Sequence, residues 1–121
     1  MITSDQLDAF RAGLRRCEGY TTLNMLKEAE RELLQLPAEL RLTLPYLMVS
    51  MNFFIHCRQW DMATRIGACI LESWPDCEDV RRLAMQCYVR NGCRGELPPA
   101  LLQAPGTLRQ VIRPGRNFGR N

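Results

Sequence analysis

The sequence predicts an all-α protein built from antiparallel helix hairpins, and three observations carry that reading. Apolar residues recur at steps of three and four through most of residues 7–88, the spacing of one helix face. No stretch longer than a few residues alternates apolar with polar, as a half-buried strand would. Glycine or proline stands between the apolar stripes, at Gly19, Pro37, Pro45 and Pro75, so the helices are short and closely joined.

Ser4 suits the N-cap of a first helix, whose stripe is Leu7, Phe10, Leu14 and Cys17 and which Gly19 is expected to end. A second stripe follows at Leu23, Leu26, Ala29, Leu33 and Leu36, closed by Pro37. The connection is short, so these two helices fold back on each other. A third helix begins near Pro45, where proline is comfortable in a first turn, and runs to about Arg58. Its segment, PYLMVSMNFFIHC, is apolar nearly all round, which marks the central helix. The fourth runs from Asp61 to about Ser73 with Ala63, Ile66, Ile70 and Trp74 facing inward, stopped by Trp74-Pro75. The fifth, Glu78 to about Arg90, buries Val80, Leu83, Ala84, Cys87 and Tyr88. Beyond it, Pro98-Pro99 leaves only a short apolar turn at Ala100 to Leu102, and TLRQVIRPGRNFGRN reads as extended or disordered.

With 121 residues and 46% apolar content, the chain has enough material for one small domain. The helical part, residues 1–104, holds 12 Lys or Arg against 13 Asp or Glu, a net of −1. The tail, residues 105–121, holds Arg109, Arg113, Arg116 and Arg120 and no acid, which yields the overall +3. A near-neutral body does not make a phosphate-binding face, so only the tail suits nucleic acid. Six cysteines, Cys17, Cys57, Cys69, Cys77, Cys87 and Cys93, show no CxxC spacing, and the lone His56 adjoins Cys57 rather than standing at a ligand spacing. They read as small buried hydrophobes. The polar start MITSDQLDAF does not resemble a signal peptide, which points to the cytosol, and no apolar run approaches a membrane span.

Catalysis finds little to use. Adjacent residues on a helix point about 100° apart, so His56 and Cys57 do not form a nucleophile and base pair. RPGRNFGRN lacks the lysine and the strand-to-helix setting of a phosphate loop. The expectation is a non-enzyme with no metal and no cofactor.

Short antiparallel helices invite a test for a fixed repeat period. Placing Leu44 first in a 34-residue unit puts Leu47 at an apolar site of its first helix and Phe54 at an aromatic site near that helix's end. Trp60 then falls in the turn, Ala63 at a small-residue site of the second helix, Leu71-Glu72 at its end and Pro75 at the close. Continued from Glu78, the register sets Tyr88 on the aromatic and Gly92 on the turn glycine. Over residues 44–92, and more loosely over 4–37, this pattern resembles the tetratricopeptide repeat. It departs at Met51, where the repeat has a small residue, and at Gly67, where it has an aromatic, a volume exchanged across one contact. Arg58 stands where the turn glycine is usual.

The resemblance implies a short right-handed superhelix of about five helices, with a plain antiparallel bundle as the alternative. It also implies a concave face that binds partner segments, here Met48, Asn52, Ile55 and His56 from one helix and Arg82, Gln86, Val89 and Arg90 from the next. Such a face suits a segment with hydrophobic anchors and some acidic character. Met48 and Ile55 equally read as core or a self-association surface. The carboxylate clamp of chaperone-binding relatives does not carry over, since its sites fall on Val49, Asp79 and Leu83. The function implied is a protein-interaction module or small co-chaperone, similar in size and architecture to the helical-repeat chaperones of type III secretion. The alternative is a nucleic-acid-associated protein that uses its arginine and glycine tail, with Phe118 stacking on bases. Two and a half units fall short of the three that repeat proteins usually need. The N-terminal hairpin, a homodimer or an obligate partner covering an open end near Tyr88 to Leu102 is expected to make up the difference.

Overall fold

The computed structural model describes residues 2–102, so the tail arginines Arg109, Arg113, Arg116 and Arg120 lie outside the described residues. Within them the chain is all-helical, with five α-helices and no strand. These are α1 (Ser4–Thr22), α2 (Leu26–Leu34), α3 (Leu44–His56), α4 (Trp60–Ser73) and α5 (Glu78–Arg90). Short 3-10 turns at Ala38–Leu40 and Pro99–Leu101 precede α3 and follow α5. No helix among the described residues is long and apolar enough to cross a membrane.

Thr3, one residue before the expected Ser4, caps α1. Its hydroxyl accepts from the Gln6 backbone N–H at 3.1 Å while Gln6 Oε1 accepts from the Thr3 N–H at 2.8 Å, a reciprocal capping box. Gly19 does not end the helix. The chain continues for almost another turn, in which the Thr21 and Thr22 hydroxyls donate back to the carbonyls of Cys17 and Glu18 at 2.8 and 2.9 Å. The stop is Asn24, at φ +60°. Because α2 then starts only at Leu26, Leu23 falls in the turn and is exposed rather than part of the buried stripe.

Three helices end in the same way. In each, the residue two beyond the helix adopts the left-handed region, Asn24 (φ +60°), Arg58 (φ +59°) and Gly92 (φ +78°), and after Gly92 the next residue, Cys93 (φ +55°), does so too. The N–H of the next residue, Met25, Gln59 or Cys93, donates to the carbonyl of Tyr20, Phe54 or Tyr88 at 2.8, 2.9 and 3.0 Å. The left-handed residue itself donates to Thr21, Ile55 or Val89 at 3.0, 3.0 and 2.9 Å. This double closure is the Schellman motif, and it satisfies carbonyls that the helix end would leave bare. Each set of positions recurs at an interval of 34, as the numbers 24, 58 and 92 show.

The core lies on both sides of α3. One cluster joins α1, α2 and α3 through Phe10, Leu14, Cys17, Ala29, Leu33, Val49 and Phe53. The other joins α3, α4 and α5 through Leu47, Met51, Ala63, Ile70, Val80, Ala84 and Cys87. Phe54, half-buried, packs against both. That is why α3 is apolar nearly all round. The expected exchange between Met51 and Gly67 is a real contact, since a Cβ on Gly67 would lie 3.0 Å from Met51 Cε and 2.8 Å from Ala84 Cβ.

Two expectations need correction. Only Cys17 and Cys87 are buried; Cys57, Cys69 and Cys77 are half-buried, and Cys93, itself left-handed at φ +55° in the turn after α5, is exposed. The end near Tyr88 to Leu102 is not open either. The Tyr88 hydroxyl donates to the carbonyls of Cys93 and Gly95, drawing the chain back so that Leu97 and Ala100 pack on the second cluster and Leu101 is buried in it.

Candidate protein-binding face

The face expected to bind a partner is set by which side chains α3 and α5 turn inward. In α3 those are Leu47, Val49, Ser50, Met51 and Phe53, which leaves Met48, Asn52 and His56, one turn apart, on the outer surface. In α5 they are Val80, Arg81, Ala84 and Cys87, leaving Arg82, Leu83, Gln86, Val89 and Arg90 outside. Both helices are 13 residues long, and both pair antiparallel with α4 through short connections, so they run in the same direction.

Met48 is 42% exposed, Leu83 41% and Val89 60%, a good deal of apolar surface in contact with water. Of the residues expected on this face, all are exposed except Ile55, which is half-buried and packs on the core. Leu83 is an addition to the face, since its stripe spacing assigned it to the interior. Polar neighbours set the rim. His56 Nδ1 lies 3.0 Å from the Asn52 carbonyl, and Arg82 pairs with Asp79 at 3.2 Å. The Arg90 guanidinium stacks 5.1 Å from the Trp60 ring centroid, which ties the end of α5 to the turn between α3 and α4.

Other arrangements offer less chemistry. Burial pushes the Cys17 and Cys87 thiols up from the ordinary value of 9.0, and burial together with the Glu30 charge does the same for Cys57. A raised thiol holds little thiolate and makes a poor nucleophile. Among the described residues no three His, Cys, Asp or Glu side chains gather to hold a metal ion. A depression of about 220 Å³ lies between α1 and α2, floored by Phe10, Leu36 and Pro37, and another of about 210 Å³ lies beside Asp61, Tyr88 and Arg94. Both are smaller than the roughly 300 Å³ at which pockets for small organic ligands begin. Comparison of the chain with models of known families, with curated proteins and with solved structures finds no match.

Proposed function

We propose that the chain is a non-catalytic protein-interaction module of the tetratricopeptide type, a small chaperone or co-chaperone that holds a segment of a partner protein on the outer face of α3 and α5. The observation that carries this reading is the 34-residue recurrence of one helix-ending geometry at Asn24, Arg58 and Gly92. That interval is the period of the tetratricopeptide repeat, and here it includes the first hairpin. Repeats of this kind present their first helices side by side, and the apolar surface at Met48, Leu83 and Val89 lies on those helices. Their use in type III secretion, where small helical proteins shield aggregation-prone subunits in the cytoplasm, suits a chain of this size.

The test is capture of a stoichiometric partner from the native host by the full chain, by its Met48→Glu variant and by residues 1–104. Loss of the partner with Met48→Glu and retention without the tail support the reading. Retention by Met48→Glu with loss on removing the tail supports the second reading, in which four tail arginines without an acid contact nucleic acid.

A further inference from the structure

The two helices of this face carry a charge pattern that the chain's totals conceal. Residues 40–60 contain Arg41 and Arg58 and no acid; α5 opens on Glu78 and Asp79, which pair with Arg81 and Arg82, and from there residues 80–95 contain Arg81, Arg82, Arg90 and Arg94 and no acid. The remainder of residues 1–104, with 6 of the 12 basic residues and all 13 acids, carries −7. Along the sequence, the segments that carry the apolar face are therefore the basic ones. Arg82 and Arg90 stand on the face itself, beside Leu83 and Val89. The bond of Arg82 to Asp79 joins two exposed side chains, an arrangement worth less than about 1 kcal/mol, and so it exchanges readily for another carboxylate. Arg90 lies over the Trp60 ring at 5.1 Å from its centroid, an uncharged neighbour that leaves its guanidinium N–H groups able to donate to a carboxylate.

We infer that the occupant of this face is an amphipathic helix of a partner protein, with its apolar stripe against Met48, Ile55, Leu83 and Val89 and its flanking Asp or Glu side chains on Arg82 and Arg90. The inference rests on the reading of the chain as a protein-binding module and names the partner's chemistry. Met48 to Ile55 and Leu83 to Val89 each span about two helical turns, or roughly 10 Å at 1.5 Å per residue. That length matches the anchors of a helix lying in a groove. Between these apolar pairs only the amides of Asn52 and Gln86 offer side-chain hydrogen bonds. An extended segment would need more partners for its backbone, whereas a helix satisfies its own.

Charge separates this occupant from the others. A second copy meeting the same patch around a two-fold axis would bring Arg82 and Arg90 close to their counterparts, and like charges at an interface are costly. The tail, with four arginines and no acid, meets the same repulsion. Nucleic acid would satisfy the arginines but would set a charged backbone against Met48, Leu83 and Val89.

The experiment titrates the full chain with three labelled helical peptides of about 20 residues, long enough to hold a helix. One has a leucine stripe flanked by glutamate, one the same stripe flanked by lysine, and one glutamate flanks with serine in place of leucine. The expected result is binding of the glutamate and leucine peptide at least about tenfold tighter than the lysine peptide, and none of the serine peptide. Arg82→Gln with Arg90→Gln, both at exposed positions, should bring that ratio close to one while circular dichroism stays unchanged. Equal binding of both leucine peptides, abolished by Met48→Glu, overturns the charge selection and leaves the module standing. Binding of neither overturns both. Competition by a DNA duplex against the glutamate peptide, or a dimer dispersed by Met48→Glu, overturns the named occupant.

Discussion

Gly67 is where the packing of this fold is most exposed to a single methyl group. It sits in α4 between Met51 of α3 and Ala84 of α5, and Gly67→Ala would place a Cβ 3.0 Å from Met51 Cε and 2.8 Å from Ala84 Cβ. Carbon atoms prefer about 3.5–4.0 Å. The tip of Met51 swings aside at little cost, but the Cβ of Ala84 moves only if α5 moves. Against the overpacking cost of about 1–3 kcal/mol stands the helix-propensity gain of about 1 kcal/mol from glycine to alanine. The expected net is a loss of about 1 kcal/mol, or about 4–8 °C in Tm for a domain of this size. Gly19→Ala in α1 is the control, because nothing lies within 4 Å of its Cβ position. It should stabilise by up to about 1 kcal/mol. Urea unfolding followed by circular dichroism measures both. In an Ala84→Gly background the steric part should vanish and Gly67→Ala should turn stabilising, with a coupling of at least about 1 kcal/mol. If Gly67→Ala stabilises as much as Gly19→Ala, or if the Ala84→Gly background leaves its effect unchanged, the close approach of α4 to α5 is refuted.

Four further outcomes are expected. Arg58→Gly relieves a left-handed non-glycine residue and should be neutral to stabilising, whereas Arg58→Val should cost about 1–2 kcal/mol, read by the same unfolding assay. Tyr88→Phe removes the two bonds to Cys93 and Gly95 and should cost about 0.5–1.5 kcal/mol. Hydrogen exchange should then quicken at Leu101 and Leu102 more than in α1, and equal change in both places would count against the tether. The buried thiols of Cys17 and Cys87 have folded pKa values above their unfolded value of 9.0, so the unfolded chain releases protons first as pH rises. Stability should be full below about pH 9 and fall above it, less so in a Cys17→Ala, Cys87→Ala double variant compared at both pH values. At neutral pH a thiol reagent should modify Cys93 quickly and Cys17 and Cys87 only on unfolding.

The bounds of α3, α4 and α5 were legible to within about two residues, because proline, a turn and a sustained stripe coincide at their ends. The contact of Met51 with Gly67 was legible too, as two size anomalies of opposite sign at related positions. The end of α1 was not. Gly19 is the stronger local punctuation, yet a glycine facing water costs a helix only about 1 kcal/mol, which the turn at Asn24 outweighs. A usable signal existed in Tyr20, Phe54 and Tyr88, three aromatics spaced by 34 that mark the third residue from each helix end. Leu83 shows the other limit. Its spacing places it on the inner side of α5, but its exposure is set by how α5 is packed in the fold, which no local pattern records. Pro98-Pro99 rightly excludes a long helix, but it does not prevent the segment from packing Leu101 into the core.

Among the described residues Phe54 is the single side chain that packs on both clusters, and this has a consequence for how the molecule opens. α1 and α2 pack on each other and on one side of α3, while α4 packs on the other side and carries α5. Opening the first hairpin uncovers Val49 and Phe53 but leaves Met51, Ile70 and Val80 enclosed. The chain thus has two cooperative units of unequal protection sharing one helix, each assembled from segments adjacent in sequence, a topology associated with fast folding. A ligand bridging α3 and α5 would reinforce the second unit directly and reach the first only through the helix they share.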